Sequence, residues 1–276
     1  LAPTDVSHVT WSRDGLIAYG TASGQLRVVD ATDLGTIKYD LIGHNNAVSA
    51  IAWRSDGKCL ASVDKDRFIR FWWLKTEDGG AKGKILDEHA FQVVDIEFSP
   101  DGERFAALDK YGAVSISDGD GALLLRYNAY GSSELGEGDG HSLHWSPDSQ
   151  TLATCGGPNQ AQIKLWTRSG EPIARLAVPD GDDRGFSRFA WSPDGQRIAA
   201  FSGQRNQITI WEVANPQVFE QPIRASAPIT QLRWLSAKSL AVEAARGVSL
   251  WRLDGSVITS SRLPDGTRCW SPDNTR

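Results

Sequence analysis

Short runs of alternating apolar and polar residues, separated by clusters of Gly, Pro, Asp and Ser, dominate the chain. Val48-Ser-Ala-Ile51-Ala-Trp53 leads into a turn at Asp56-Gly57, and Cys59-Leu-Ala-Ser62 follows. A third run, Ile69-Arg-Phe-Trp72, ends in an aromatic ring. Alternation with β-branched residues predicts half-buried strands, Asp-Gly predicts tight reversals, and no stretch keeps a helical stripe. The same grammar recurs in Arg197-Ile-Ala-Ala-Phe201 and Ile208-Thr-Ile-Trp211, in Ile163-Lys-Leu-Trp166 and in Val248-Ser-Leu-Trp251. Leu26-Arg-Val-Val29 and Val114-Ser-Ile-Ser117 are degenerate third runs, and Ala122-Leu-Leu-Leu-Arg126 reads as a weaker outer strand.

The pattern is periodic. An aromatic followed by a turn stands at Trp11, Trp53, Phe98, Trp145, Trp191, Trp234 and Trp270, giving spacings of 42, 45, 47, 46, 43 and 36 residues. A period in the forties fits one four-stranded propeller blade and is too long for a leucine-rich repeat. Ten of the eleven tryptophans fall either on this position or at the end of the third run; Trp73 is the exception. The expected fold is all-β: a β-propeller of four-stranded antiparallel blades, six complete and the first strand of a seventh. Completing that seventh blade needs roughly 30 more residues on the repeat length. The expectation is therefore a single propeller domain over residues 1–276 within a longer, seven-bladed protein, or a displaced last segment in a six-bladed ring.

The second period resembles the WD-repeat family: Gly43-His44, then Val48 to Gly57, Leu60-Ala-Ser62, and Asp66-Arg-Phe-Ile-Arg-Phe-Trp72. The resemblance implies a structural hydrogen-bonded chain running from Asp66 to His44, Ser62 and the Trp72 indole. Each buried donor then has an acceptor, and the indole closes the chain, unlike a catalytic Asp-His-Ser relay. No literal Trp-Asp pair occurs, and the other periods keep fewer of these residues.

Composition narrows the function classes. The 276 residues are 40% apolar and 23% charged, with a net charge of −5, so no nucleic-acid partner is expected. No apolar run is long enough to span a bilayer, so no membrane partner is expected. Cys59, Cys155 and Cys269 lack metal-ligand spacing and read as core residues in a reducing, cytoplasmic compartment. No phosphate-binding or nucleophile motif appears, and no cofactor is expected. His8, Asp95, Glu97, His144, Arg188 and Arg233 lie one or three residues before the period aromatic and are candidates to line a central channel. They read as a self-neutralising charge ring, or as a small-anion or metal site. Asp118-Gly-Asp120-Gly and Asp180-Gly-Asp182-Asp183 read as turns, lacking the remaining ligands of a calcium loop.

Two long connections precede adjacent blades and should emerge on one face. They carry Glu134, Glu137, Asp139, Asp180, Asp182 and Asp183, with Tyr130 and Phe186 as apolar anchors for a basic protein or peptide partner. The function expected is a non-catalytic interaction scaffold that uses one propeller face. The alternatives are a regulatory sensor propeller of a larger signalling protein, and a metal-dependent propeller hydrolase drawing on Asp95, Glu97 and His144.

Overall fold

A computed structural model describes residues 5–74, 80–88, 91–130, 141–156, 162–177, 186, 188–201, 206–215, 223–225, 227–244 and 247–261. Six four-stranded sheets follow one another, each a meander whose strands pair in chain order. The first contains β1 (Val6–Trp11), β2 (Leu16–Thr21), β3 (Leu26–Asp30) and β4 (Asp33–Asp40); the second β5 (Val48–Trp53), β6 (Cys59–Asp64), β7 (Phe68–Trp73) and β8 (Lys82–Glu88). The third has β9 (Val93–Phe98), β10 (Arg104–Asp109), β11 (Ala113–Asp118) and β12 (Leu123–Asn128); the fourth β13 (His141–Trp145), β14 (Thr151–Gly156), β15 (Gln162–Thr167) and β16 (Pro172–Ala177). The fifth has β17 (Arg188–Trp191), β18 (Arg197–Phe201), β19 (Gln207–Glu212) and β20 (Ile223–Arg224); the sixth β21 (Ile229–Ser236), β22 (Ser239–Ala244), β23 (Gly247–Arg252) and β24 (Val257–Ser261). Each meander has the form of a propeller blade, as the periodicity predicts, and the degenerate runs form β3 and β11 as full strands. The seventh aromatic, Trp270, lies outside the described residues. Among the described residues no helix is long and apolar enough to cross a membrane.

The turn after each first strand follows from its four residues. Ser99 Oγ donates to Asp101 Oδ1 at 2.5 Å and accepts the Arg104 amide at 2.9 Å. Asp101 Oδ1 also accepts the Glu103 amide at 3.0 Å, while Gly102 takes the left-handed φ of 74° that closes the reversal. Ser146 with Asp148, and Ser192 with Asp194, repeat these bonds. The turn Asp118–Gly121 is likewise structural: Asp118 Oδ1 accepts two backbone amides, and Asp120 pairs with Arg54 at 3.0 Å. Asp180, Asp182 and Asp183 lie outside the described residues.

The chain divides into two compact units, one up to Arg126 and one from Tyr127. In the first unit, β1, β5 and β9 lie side by side. Strand alternation gives the second sheet two apolar faces. Leu60 and Trp72 pack with Leu16, Ala18 and Val28 of the first sheet. Cys59, Ala61 and Phe71 pack with Val93, Phe98 and Phe105 of the third. Phe71, Phe98 and Phe105 form a ring cluster with centroids 4.8 to 5.1 Å apart, within the favoured range for aromatic pairs. Gly20 is required by a close approach, since a Cβ there would meet Val48 at 2.5 Å.

In the second unit β13, β17 and β21 are neighbours, and indole N–H groups staple one sheet to the next. Trp191 donates to the His144 carbonyl and Trp234 to the Ala190 carbonyl, each at 3.1 Å. Trp211 donates to the Ala177 carbonyl at 3.2 Å. A buried net hydrogen bond of this kind contributes about 1 kcal/mol beyond the burial of the ring.

The β6–β7 turn carries a locatable strain. Arg67 holds φ 72°, whereas Gly24 and Gly112 occupy the matching place in the first and third sheets. A side chain in the left-handed region costs about 1–2 kcal/mol. Arg67→Gly is expected to raise stability by about 1 kcal/mol, read as a higher midpoint in urea or thermal unfolding; an unchanged or lower midpoint contradicts this.

Candidate functional site

The buried polar chain of the second sheet exists, with one member exchanged. Trp72 Nε1 donates to Ser62 Oγ at 2.8 Å, and Ser62 Oγ lies 2.6 Å from His44 Nε2. His44 Nδ1 lies 2.8 Å from Asp64 Oδ2, so the acid is Asp64 and not Asp66. The reason is the period of the strand: Ser62 and Asp64 are two residues apart in β6 and share a face, whereas Asp66 sits beyond it in the turn. Asp66 accepts from Asn46 Nδ2 at 2.6 Å and donates its amide to Asp64 Oδ1. The Asp64 carboxylate can only accept, so His44 donates from Nδ1; in the neutral ring Nε2 then accepts the Ser62 hydroxyl proton, while Ser62 Oγ accepts the Trp72 indole. Ser62 has no exposed surface and Asp64 only 1%. The set therefore has the residues of a catalytic relay without access to a substrate.

The fourth sheet solves the same problem with other residues. Thr154 and Trp166 occupy the strand places of Ser62 and Trp72, and the Trp166 indole donates to Thr154 Oγ1 at 3.0 Å. Tyr130 stands where His44 would: its hydroxyl donates to the Thr154 carbonyl at 2.8 Å and lies 3.2 Å from Thr154 Oγ1. Burial pushes the Tyr130 hydroxyl pKa well above its ordinary value and keeps it a neutral donor. In the sixth sheet Trp251 donates to Ser249 Oγ at 2.7 Å. The expectation that Tyr130 and Phe186 anchor a partner is thereby corrected. Tyr130 has no exposed surface, and Phe186 is buried against Trp211 at 5.2 Å, because both rings fill space beside their own sheets. Glu134, Glu137, Asp139, Asp180, Asp182 and Asp183 lie outside the described residues.

The proposed channel residues all fall on first strands. In the first unit His8 lies on β1 and Asp95 and Glu97 on β9, all half-buried. In the second, half-buried His144 lies on β13, exposed Arg188 on β17 and half-buried Arg233 on β21. Asp95 Oδ1 accepts the Ile96 amide at 2.9 Å. The His144 ring meets Phe189 edge-on at 5.1 Å, and its Nε2 lies 3.4 Å from Ser142 Oγ. Among the described residues no three His, Cys, Asp or Glu side chains gather as a metal site would need. Cys59 is buried, and desolvation pushes its thiol up to about 12, far from nucleophilic reactivity.

One exposed feature escaped the sequence reading. Phe91, 45% exposed, meets Tyr111 edge-on with centroids 4.3 Å apart, and Lys110 Nζ lies 5.0 Å from the Tyr111 ring centre. Phe91 enters β9 and Tyr111 lies in the β10–β11 turn, so antiparallel pairing brings both to one end of the sheet.

Residues 35–72, which include the whole polar chain of the second sheet, match the family described as WD domain, G-beta repeat. The chain is 26% identical to Actin-interacting protein 1 of Drosophila melanogaster over 82% of its own length and 36% of that protein. It is 23% identical to WD repeat-containing protein slp1 of Schizosaccharomyces pombe, covering 82% of this chain and 44% of the relative. Protein HIR1 of Cryptococcus neoformans is 26% identical over 60% of this chain and 20% of its own length. The chain thus spans less than half the length of each of these relatives.

Two measurements separate Asp64 from Asp66. Asp64→Ala removes the acceptor of a buried imidazole and is expected to cost about 3 kcal/mol, whereas Asp66→Ala should cost under about 1 kcal/mol. Equal losses in denaturant titration would contradict the assignment. Burial lowers the His44 pKa from 6.5 more than Asp64 raises it. In the unfolded chain the ring therefore binds a proton at a pH where the folded chain does not. Stability is complete above about pH 6.5 and falls as pH drops toward the lowered pKa, with a slope of up to about 1.4 kcal/mol per pH unit. His44→Asn should flatten this part of the stability–pH curve, and an unchanged slope would contradict the origin.

Proposed function

The chain belongs to the WD-repeat family, and on that premise we propose that it is a non-catalytic scaffold that binds partner proteins at the loop end of its sheets. The observation that carries this reading is the exposed Phe91 ring held against half-buried Tyr111, with Lys110 beside them. Aromatic rings held in a fixed geometry bury large area at small entropic cost and are favoured anchors of protein interfaces. The inaccessible Ser62 and the raised thiol pKa of Cys59 support a role without catalysis.

The acidic residues Glu134, Glu137, Asp139, Asp180, Asp182 and Asp183 favour a partner with a basic segment, and the net charge of −5 disfavours nucleic acid. Cys59 and Cys155, buried and not joined in a disulfide, fit a reducing, cytoplasmic setting. A second reading, a regulatory propeller within a larger protein, is favoured by the relatives, each of which extends well beyond its matched part.

Affinity capture with mass spectrometry from the source cell tests the proposal. Phe91→Ala with Tyr111→Ala is expected to reduce partner recovery by about tenfold or more, as for loss of interface anchors, at an unchanged melting temperature. Asp182→Lys with Asp183→Lys should weaken a basic partner separately. Undiminished recovery with both pairs of substitutions would overturn the loop-end reading.

A further inference from the structure

The third residue of the third strand can be compared from sheet to sheet, because the strands keep one register. It is Ser115, Thr209 and Ser249 in β11, β19 and β23, all neutral, but Arg70 in β7 and Lys164 in β15; in β3, which begins one residue later in the repeat, the matching residue is Arg27, held by Asp40 at 3.3 Å. Alternation places this residue on the face that carries Trp72 or Trp166 two positions later. Lys164 is satisfied there: its Nζ donates to the Ala129 carbonyl at 2.9 Å and lies 4.4 Å from the Tyr130 ring centre. Arg70 is left incomplete. Its Nε is buried without a hydrogen-bond partner among the described residues.

A groove of about 690 Å³ opens beside Arg70 between β4 and β8, lined among others by Lys38, Trp72 and Lys84. The corresponding groove beside Lys164 has about 320 Å³. Glycines keep the larger one open: a Cβ on Gly83 would meet the Trp72 ring at 2.7 Å, and one on Gly43 would meet it at 3.0 Å and the Arg70 guanidinium at 3.4 Å. Ile42, 87% exposed, and Ile85, 47% exposed, also line it. Asp40, the acid in the lining, is engaged by Arg27 at 3.3 Å, so Arg70 and Lys84 set the local charge.

The geometry points to this groove as a second docking site, for an extended acidic peptide segment of a partner protein. A Glu or Asp carboxylate of the segment pairs with Arg70 and Lys84, and a neighbouring aliphatic side chain covers Ile42 and Ile85. A half-buried guanidinium gains most from an anionic acceptor, and its planar fork suits a carboxylate. The site rests on the reading of the chain as a binding protein but not on the Phe91–Tyr111 end.

Fluorescence anisotropy of the full chain with a labelled peptide of alternating Glu and Leu tests the site, with the Gln-for-Glu peptide as control. The Glu peptide should bind and weaken as salt rises, and the Gln peptide should bind about tenfold more weakly or not at all. Arg70→Gln, and independently Lys84→Glu at an exposed position, should each weaken the Glu peptide about tenfold. Phe91→Ala with Tyr111→Ala should leave it unchanged, so failure of the loop-end reading is seen separately. Equal binding of the two peptides, no binding of either, or undiminished binding in a folded Lys84→Glu variant would overturn the proposal.

Discussion

A tryptophan that closes a third run brings an indole donor into a place with little solvent, and in each of the four sheets that has one the donor finds an acceptor. The rest of the architecture is arranged around this constraint. An unpaired buried donor costs about 1–3 kcal/mol, comparable to the gain from burying the ring itself. The four third-strand tryptophans meet the demand in four ways: Ser62, Thr154, Ser249 and the Ala177 carbonyl. The hydroxyl acceptors of Trp72 and Trp166 are in turn tied to the loop entering their own blade, by His44 in one case and Tyr130 in the other. What the blades share is therefore a hydrogen-bonding requirement, which several residue types can meet.

This explains which parts of the fold were legible in the sequence. Aromatic rings and Ser-Pro-Asp-Gly turns are read directly, because ring burial and positive φ each admit few residues. Trp211 and Trp145 could be placed this way before any other part of their blades. The polar partners were less legible. The family resemblance points to Asp66, and strict strand alternation from Ser62 selects Asp64 instead. Tyr130 carried no signal, since it stands eleven residues before the first strand of its blade, whereas His44 stands four before its own. A tyrosine in a long polar connection looks like an interface anchor until its hydroxyl is traced to Thr154.

The opposite error applies to Phe91 and Tyr111. Each is unremarkable in its own segment, and the pair arises only because the entry to β9 and the β10–β11 turn meet at one end of the sheet. Local patterning reports what a strand buries. It does not report which loops antiparallel pairing brings together.

Commitment to the core varies in this chain with position along each strand. Mid-strand residues are committed to neighbours on both faces, as Phe71 and Leu60 are, and a change there disturbs two sheets at once. Residues at strand ends and on outer strands have one such neighbour or none, so Phe91, Ile42 and Ile85 can change without a cost to the core. Arg70 breaks this division, being a mid-strand cation whose sheet supplies it less than Lys164 receives from Ala129 and Tyr130. A charge held in the body of a sheet with an incomplete hydrogen-bond set is costly unless an outside group completes it. The repeat therefore marks its own exception: where five blades keep this position neutral or satisfied, the sixth leaves a cation facing an open groove.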